Sequence, residues 1–293
     1  MTTAGDVVRI ADGSIEVEVL PAVGARLHRL RAFGRDLLRT PDDPQRHVDD
    51  AWFWGSYPMA PWCNRAAAGA MDVAGRSIDL PVTFPDRTAI HGQVSRRAWE
   101  DHGDGTFQIA GGADGWPWTY TVEQRIAIAS DQLELDLRLT NRADTPMPAG
   151  IGFHPWFRKP VRVAIAASHV HPSNVATEPD PIPVSGAFDL RRLGPMADDL
   201  DGAWADVADP PVVLEWPGIR ATMRVVAPTR FIVAASPGGI DAVAVEPQTH
   251  APDGIRRLLN GEPGGLALIA PGASLALGVR LAFEGTPGGT RET

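Results

Sequence analysis

One cysteine and one lysine occur in the 293 residues, and each scarcity excludes a kind of chemistry. Because Cys63 stands alone, an internal disulfide and a cysteine-based metal cluster are both excluded. No residue pattern marks a base for its thiol, so we expect Cys63 to be packed and unreactive. With Lys159 as the only lysine, nearly all of the positive charge is carried by arginine.

Long apolar runs and basic clusters are also lacking. No run approaches the roughly 18 apolar residues of a membrane helix, and Met1–Gly13 lacks the basic and apolar regions of an export signal. The formal net charge of -9 argues against a nucleic-acid partner, since phosphate binding needs a clustered positive field. We therefore expect a cytoplasmic protein without a membrane or nucleic-acid partner.

Helical periodicity is scarce, whereas the alternation of apolar and polar residues that is typical of half-buried strands recurs along the chain. The clearest stretches are Ile15–Val19, Ile126–Leu139, Val212–Trp216 and Leu275–Phe283. The second of these is broken by the polar segment Ala129–Gln132 and predicts a β-hairpin. Two segments, Met196–Val207 and Gly254–Leu259, are compatible with short helices.

The 30 glycines and 27 prolines are spread between these runs as turn residues, and no shift in composition marks a domain boundary. Many short strands with regular turns are typical of all-β antiparallel sandwiches and barrels. A single domain of this size would be a large antiparallel β-sandwich, with the long connection Ala167–Arg191 lying over its faces. We predict one domain over residues 1–284 and a flexible tail over residues 285–293.

Two acid–base groups are embedded in apolar sequence, where burial is costly unless the group is paired or used. Glu246 ends an apolar run and precedes Pro247, so it faces a core or a pocket, where desolvation would raise its pKa and suit it as a general base. His154 lies among aromatic residues in the segment Gly150–Phe157. Each residue is also compatible with a buried polar group that is satisfied by hydrogen bonds.

Three further polar features stand out. His91 precedes Gly92, which permits close approach to the backbone. Asn64–Arg65 follows a proline-rich stretch, and its amide and guanidinium suit hydroxyl recognition, although a structural salt bridge is equally compatible. His169 and His171 would share one strand face, but the sequence nominates no third ligand, so we predict no metal site.

Taken in order, these features resemble the aldose 1-epimerase (galactose mutarotase) family. The matching elements are Asn64-Arg65, His91-Gly92, His154-Pro155-Trp156-Phe157, Asp201 with Trp204, and Glu246 with Gln248 and Pro252-Asp253. Their order and spacing extend from about Val8 to Glu284. There are two departures: Gln93–Arg97, which bears on substrate choice, has less glycine and aromatic character than the family, and Trp204, which bears on the assignment of Asp201, replaces the usual Phe. The aspartates that compete with Asp201 for its place in this pattern are Asp198, Asp199 and Asp206.

The resemblance implies a single super-sandwich with an open cleft, and aldose mutarotation without a metal or organic cofactor. It implies that Glu246 takes the proton of the C1 hydroxyl and that His154 protonates the ring oxygen. The implied substrate-binding residues are Asn64, Arg65, His91 and Asp201. The expected partner is a small aldose, and the expected assembly is a monomer or homodimer.

Three alternatives stay open at this point. A hexose-6-phosphate mutarotase would use Arg96 and Arg97 to bind a phosphate. A glycoside hydrolase would pair Glu246 with a second carboxylate such as Asp201. A non-catalytic sugar-binding protein would keep the same scaffold without a need for an acid–base pair.

Overall fold

The strands are the dominant elements of the structure, a computed structural model that describes residues 3–172 and 180–285. The first twelve are β1 (Val8–Asp12), β2 (Ile15–Leu20), β3 (Arg26–Ala32), β4 (Arg35–Asp36), β5 (Ser56–Met59), β6 (Arg65–Ala67), β7 (Gly69–Val73), β8 (Arg76–Leu80), β9 (Thr88–Ile90), β10 (Glu100–Asp101), β11 (Thr106–Gly111) and β12 (Tyr120–Ala129). The others are β13 (Gln132–Asn141), β14 (Met147–Ala149), β15 (Gly152–Arg158), β16 (Arg162–His171), β17 (Ile182–Pro183), β18 (Leu200–Trp216), β19 (Ile219–Val226), β20 (Phe231–Ser236), β21 (Ala242–Gln248), β22 (Ala267–Ile269) and β23 (Ser274–Gly285).

Helices are few and short. They are α1 (Arg46–Asp49), α2 (Gly254–Asn260) and the 3-10 turns Pro21–Val23 and Gly186–Phe188. Within residues 3–172 and 180–285, none has the length and apolar character needed to cross a membrane.

Two runs of antiparallel pairings build the sandwich. One follows the order β1, β2, β3, β5, β15, β21, β20 and β18. The other continues from β18 through β19, β23, β13, β12 and β11 to β10. We call these the first and second layers. The predicted all-β antiparallel sandwich is confirmed.

Strand β18 joins the layers, because its first half pairs with β20 and its second half pairs with β19. Strand β16 follows the other edge of β18, and its register shifts between Ile165 and Ala167. A bulge of this kind bends a strand and increases its twist. The bend lets one pair of strands belong to both layers.

The main core lies between the layers, where side chains from their inner faces meet. Leu27, Ser56, Phe153, Pro155 and Pro247 of the first layer surround a small interior space together with side chains of β13, β19 and β23. Since successive strand residues point to opposite faces, the neighbours of these five residues lie on the outer face of the first layer. That outer face carries the candidate site described below.

Several sequence predictions of local structure can be compared with these elements. The hairpin is confirmed as β12 and β13, joined at Ser130 and Asp131, and the helix predicted at Gly254–Leu259 is confirmed as α2. The helix predicted at Met196–Val207 is wrong, because most of this segment belongs to β18.

The prediction for Ala167–Arg191 is wrong at its start, because β16 continues to His171. Residues 173–179 of this connection lie outside the described residues. Of the tail predicted over residues 285–293, Gly285 is the last residue of β23, and the rest lies outside the described residues.

Candidate active site

A row of four side chains crosses the outer face of the first layer from β3 to β21. The strand registers place Arg26 opposite Tyr57, Tyr57 opposite His154, and His154 opposite Glu246. All four residues are buried, with 0 to 5% of their surface exposed. The row brings together His154 and Glu246, which are far apart in sequence.

The carboxylate of Glu246 and the imidazole of His154 are in direct contact. Nε2 of His154 lies 3.2 Å from Oε1 of Glu246. The second carboxylate oxygen, Oε2, is buried and makes no hydrogen bond within the described residues. It therefore keeps its acceptor capacity for an incoming hydroxyl group.

Burial opposes charge on both members of this pair. It raises the pKa of Glu246 well above its ordinary value, an effect that Asp201 increases, and it lowers the pKa of His154 to about 3. The protein therefore favours a pair with no net charge, which is either a neutral imidazole with a protonated carboxyl group or an imidazolium with a carboxylate. The two forms differ in whether one shared proton lies on Oε1 or on Nε2. Such a pair offers one proton donor and one proton acceptor side by side.

His91 lies against the pair, with its ring 4.9 Å from the ring of His154 in an edge-on arrangement. The backbone N–H of Asn64 donates to Nδ1 of His91 at 3.2 Å, and burial lowers the pKa of His91 well below its ordinary value. A neutral imidazole that accepts at Nδ1 carries its proton on Nε2. His91 is thus a hydrogen-bond donor at Nε2.

The backbone around His91 is unusual. Both His91 and Asn64 adopt the left-handed region, with φ of 58° and 56°, and Gly92 does so with φ of 69°. A Cβ on Gly92 would lie 2.0 Å from the carbonyl oxygen of Ala60, so only glycine fits there. Non-glycine residues in this region are strained, and such strain clusters at functional sites.

Arg65 and Asp201 complete the charged groups of the site. Nε of Arg65 donates to Asp86 at 2.6 Å. Burial raises the pKa of Asp201 to about 6, while the charge of Arg65 opposes this increase. Because Arg65 also lowers the pKa of Glu246 and of His91, it lies within electrostatic reach of each of them.

Aromatic rings form the walls around these polar groups. Tyr57 stacks on His154 with the ring centroids 4.7 Å apart, and Trp156 lies 5.1 Å from the same imidazole. Trp52 lies 6.0 Å from His91 and packs edge-on against Phe84. Flat apolar surfaces of this kind suit the faces of a pyranose ring.

The structure brings most of the sequence-predicted residues together. His154, Glu246 and His91 lie together, and Arg65 and Asp201 act electrostatically on Glu246; Asn64 contributes through its backbone. The aspartates that compete with Asp201 have other partners: Asp198 pairs with Lys159, Asp199 accepts from Gly238 and Asp206 pairs with His169.

The remaining candidates lie outside this site. His169 contacts Asp206, whereas His171 contacts Arg257, and no three His, Cys, Asp or Glu side chains in the described ranges are grouped to hold a metal. Cys63 is buried and its pKa is raised by desolvation, which confirms the prediction of a packed thiol.

Sequence reasoning missed Arg26, and no local signal could have found it. Arg26 stands on a strand with Arg29 and Arg31, which are partly exposed, so the pattern is that of a solvent-facing edge. Tyr57 and Trp52 were visible only as two of many aromatic residues.

Comparison with known proteins places this chain in a family. The sequence profile described as "Aldose 1-epimerase" matches residues 6–192, which is more than half of the chain. The chain belongs to the aldose 1-epimerase family. The match includes Arg65, His91 and His154 and ends before Asp201 and Glu246.

Relatives of this aldose 1-epimerase family member cover nearly the whole chain. The uncharacterized protein YphB of Escherichia coli is 25% identical over 298 residues, which are 94% of this chain and 98% of YphB. A galactose mutarotase-like protein of Clostridium acetobutylicum has a TM-score of 0.83 at 17% identity, covering 96% of this chain and 95% of its own. The galactose 1-epimerase of Lactobacillus acidophilus has a TM-score of 0.76 at 18% identity, with the same coverage. These structures support the family fold through the region that carries Glu246.

Proposed function

We propose that the protein is an aldose 1-epimerase that interconverts the α and β anomers of an aldose by acid–base catalysis. One observation carries the proposal: a buried imidazole nitrogen and a buried carboxylate oxygen lie 3.2 Å apart on the outer face of the first layer. Anomer exchange removes a proton from one oxygen and adds a proton to another oxygen on the same carbon. A neighbouring donor and acceptor meet that requirement.

Ring opening uses the two groups in opposite senses. Glu246 accepts the proton of the C1 hydroxyl, and His154 donates a proton from Nε2 to the ring oxygen as the C1–O bond breaks. On substrate binding, the contact between Nε2 and Oε1 is exchanged for these two contacts. The products of this step are the open-chain aldehyde, a neutral carboxyl group and a neutral imidazole.

Ring closure restores the pair. After rotation about the C1–C2 bond, His154 removes the proton from the hydroxyl that becomes the ring oxygen, and Glu246 returns its proton to the former aldehyde oxygen. Each turnover moves protons only, with no covalent intermediate and no change in oxidation state. The pair therefore ends with the proton count with which it began.

The other residues would orient the sugar. His91 presents an N–H at Nε2 beside His154, which suits the ring oxygen or an adjacent hydroxyl. Arg65 supplies further donors, and Asp201 supplies an acceptor across from them. Trp52 and Phe84 provide an apolar wall for the ring.

Polarimetry on freshly dissolved sugars tests the proposal. We expect the protein to accelerate mutarotation of α-D-galactose or α-D-glucose well above the buffer rate. Absence of acceleration for every neutral and phosphorylated aldose would exclude mutarotase activity. Release of reducing sugar from glycosides without anomer exchange would instead support a hydrolase.

The raised pKa of Asp201 leads to a prediction about stability. An aspartate with an ordinary pKa of 3.8 and a pKa of about 6 in the folded protein binds its proton more tightly when folded than when unfolded. As pH rises from 4 towards 7, the unfolded chain loses this proton first, so stability falls by on the order of 2–3 kcal/mol. Asp201→Asn should remove this part of the decline and unfold at a higher temperature than wild type at pH 8.

Thermal unfolding at pH 5 and pH 8 measures this difference, with the exposed Asp198→Asn as the matched control. We also expect Asp201→Asn to raise KM more than it lowers kcat, because Asp201 is proposed to bind hydroxyls. An unchanged KM together with an unchanged pH dependence of stability would show that Asp201 lies outside the site.

A second candidate function, hexose-6-phosphate mutarotation, is favoured by Arg96. Its guanidinium carbon lies 4.8 Å from the ring centroid of Trp52, and it has no ion pair or hydrogen-bond partner in the part of the chain that the structure describes. It lines a recess of about 260 Å³ that also contains Trp52, Gly92 and Arg97. An unpaired, stacked guanidinium next to the site suits an anionic substituent.

The Arg96→Gln variant distinguishes a hexose-6-phosphate mutarotase from a mutarotase of neutral sugars. If a 6-phosphate binds there, the variant should raise KM for glucose 6-phosphate by about 10- to 100-fold, the value of one charge-assisted hydrogen bond. Its KM for glucose should stay near that of wild type, and Arg138→Gln, at an exposed position on β13, is the control. Equal effects on both sugars would exclude a phosphate-binding role for Arg96.

A further inference from the structure

Arg26 is a fully buried cation without a carboxylate partner among the described residues. Its guanidinium group donates to the carbonyl oxygens of Val23, Ala51 and Ser95 at 2.8–3.1 Å. Burial lowers its pKa only to about 10, so it remains charged at neutral pH. A charge held in this way is costly, since no counter-ion offsets its desolvation. A buried charge with this desolvation cost is a candidate for a functional role.

The position of Arg26 points to the acid–base pair. Its guanidinium carbon lies 4.9 Å from the ring centroid of Tyr57, whose other contact in the row is the stacked imidazole of His154. The order along the row is cation, aromatic ring, imidazole and carboxylate. Cation–π attraction holds Tyr57 on the Arg26 side, and stacking then fixes the plane of the His154 ring.

Two histidines, His47 and His28, form a second row of polar groups that contacts the guanidinium of Arg26. Nη1 of Arg26 lies 3.2 Å from Nδ1 of His47, and Nε2 of His47 lies 2.9 Å from Nδ1 of His28. Burial lowers the pKa of His47 to about 2, so its ring is neutral. Because arginine can only donate, Nδ1 of His47 accepts and its Nε2 carries the proton that His28 accepts. Nε2 of His28 then bears the proton of that ring and lies 3.8 Å from Oε2 of Glu18.

We propose that Arg26 is a positioning residue for the acid–base pair, whose buried cation holds Tyr57 against His154 and favours release of the proton that His154 carries. The inference rests on the proposed mutarotase function. A positive charge near the imidazole disfavours a second positive charge on it, and it favours the ionised form of Glu246. Consistent with this direction, Arg26 contributes to the lowered pKa of His154.

Other charged and titratable groups also surround His154, and the test must separate them from Arg26. Those in contact with His154 or coupled to its immediate neighbours are Glu246, His91, Tyr57, Arg65, Asp201, Cys63 and Arg96. An Arg26 variant keeps all of these side chains, so a changed pH profile can be assigned to the loss of Arg26.

The experiment compares Arg26→Gln with Arg26→Lys. Without the cation, both members of the pair bind protons more tightly, so both limbs of the pH profile of kcat should move to higher pH by about half to one unit. Arg26→Lys keeps the charge and should keep the limbs in place. Arg257→Gln is the matched control, because Arg257 is equally buried, donates to backbone carbonyls and lies beside His171. It should lose comparable stability without moving the limbs.

Tyrosine variants test the aromatic contact without disturbing the Arg26 hydrogen bonds. Tyr57→Leu removes the ring and should lower kcat with little change in KM, and Tyr57→Phe, which keeps the ring, should lose much less of kcat than Tyr57→Leu does. Circular dichroism and thermal unfolding confirm that each variant is folded. A lower kcat with unmoved limbs in Arg26→Gln would overturn the proposal and leave only a structural role.

A readout that needs no activity distinguishes failure of this inference from failure of the proposed function. Titration of the His154 ring by nitrogen-15 NMR should show protonation at a higher pH in Arg26→Gln than in wild type. An identical titration would overturn the role of Arg26 even if the enzyme is active. A shifted titration in a protein that converts no aldose would overturn the mutarotase proposal alone.

Discussion

Glu246→Gln should reduce kcat for aldose mutarotation by about 10²- to 10⁴-fold, the range for loss of one positioned acid–base group. The amide keeps the shape of the carboxylate and can still contact Nε2 of His154, but it cannot accept the C1 proton. The binding contacts proposed for Arg65 and His91 remain, so KM should change little. Initial-rate polarimetry over a range of aldose concentrations separates the two constants.

The fold of this variant should be intact. Because burial raises the pKa of Glu246, an ionised carboxylate there is unfavourable, and its replacement by a neutral amide should leave the unfolding temperature unchanged or higher. Glu100→Gln, at an exposed position, is the matched control and should retain wild-type kcat. Full activity in Glu246→Gln would assign the base to another group.

His154→Gln should lower kcat by a similar factor for a different reason. The amide nitrogen of glutamine can donate a hydrogen bond near the position of Nε2, but it cannot transfer its proton to the ring oxygen. Protonation of the leaving oxygen would then depend on water or on His91, whose neutral ring carries its proton on Nε2. The barrier should rise by about 3–5 kcal/mol.

A double variant tests whether the two residues act together. Since His154 and Glu246 act as one proton-sharing pair, the double variant should be only slightly slower than either single variant. His102→Gln, an exposed histidine, is the control. Multiplicative losses in the double variant would show that the two residues act independently.

Much of the fold was accessible from the sequence because period-two alternation is local. The hairpin of β12 and β13 needed only its own alternation and turn. The segment Met196–Val207 was wrongly predicted as a helix because Met196, Leu200 and Trp204 are four residues apart, a spacing that also suits one face of a helix. Pairing of β18 with both β16 and β20 decides the structure there, and that pairing is a tertiary effect.

The candidate site was accessible in part, through residues whose chemistry is unusual for their surroundings. Glu246 and His154 stand in apolar sequence, so burial could be inferred before any contact was known. Arg26 could not be found in this way, since the groups that satisfy it come from Ala51, Ser95 and His47. The sequence also does not reveal that Tyr57 lies between Arg26 and His154, because strand register across three strands sets that order.

The four-residue row has a consequence for folding. Its members come from β3, β5, β15 and β21, which lie far apart along the chain, between positions 26 and 246. Contacts of such high sequence separation require closure of long loops and form slowly compared with local hairpins. The β12–β13 hairpin can form before the row exists, whereas the acid–base pair exists only once β15 and β21 have paired. Recovery of the proposed mutarotase activity during refolding should therefore report the pairing of β15 with β21 and not the appearance of strands.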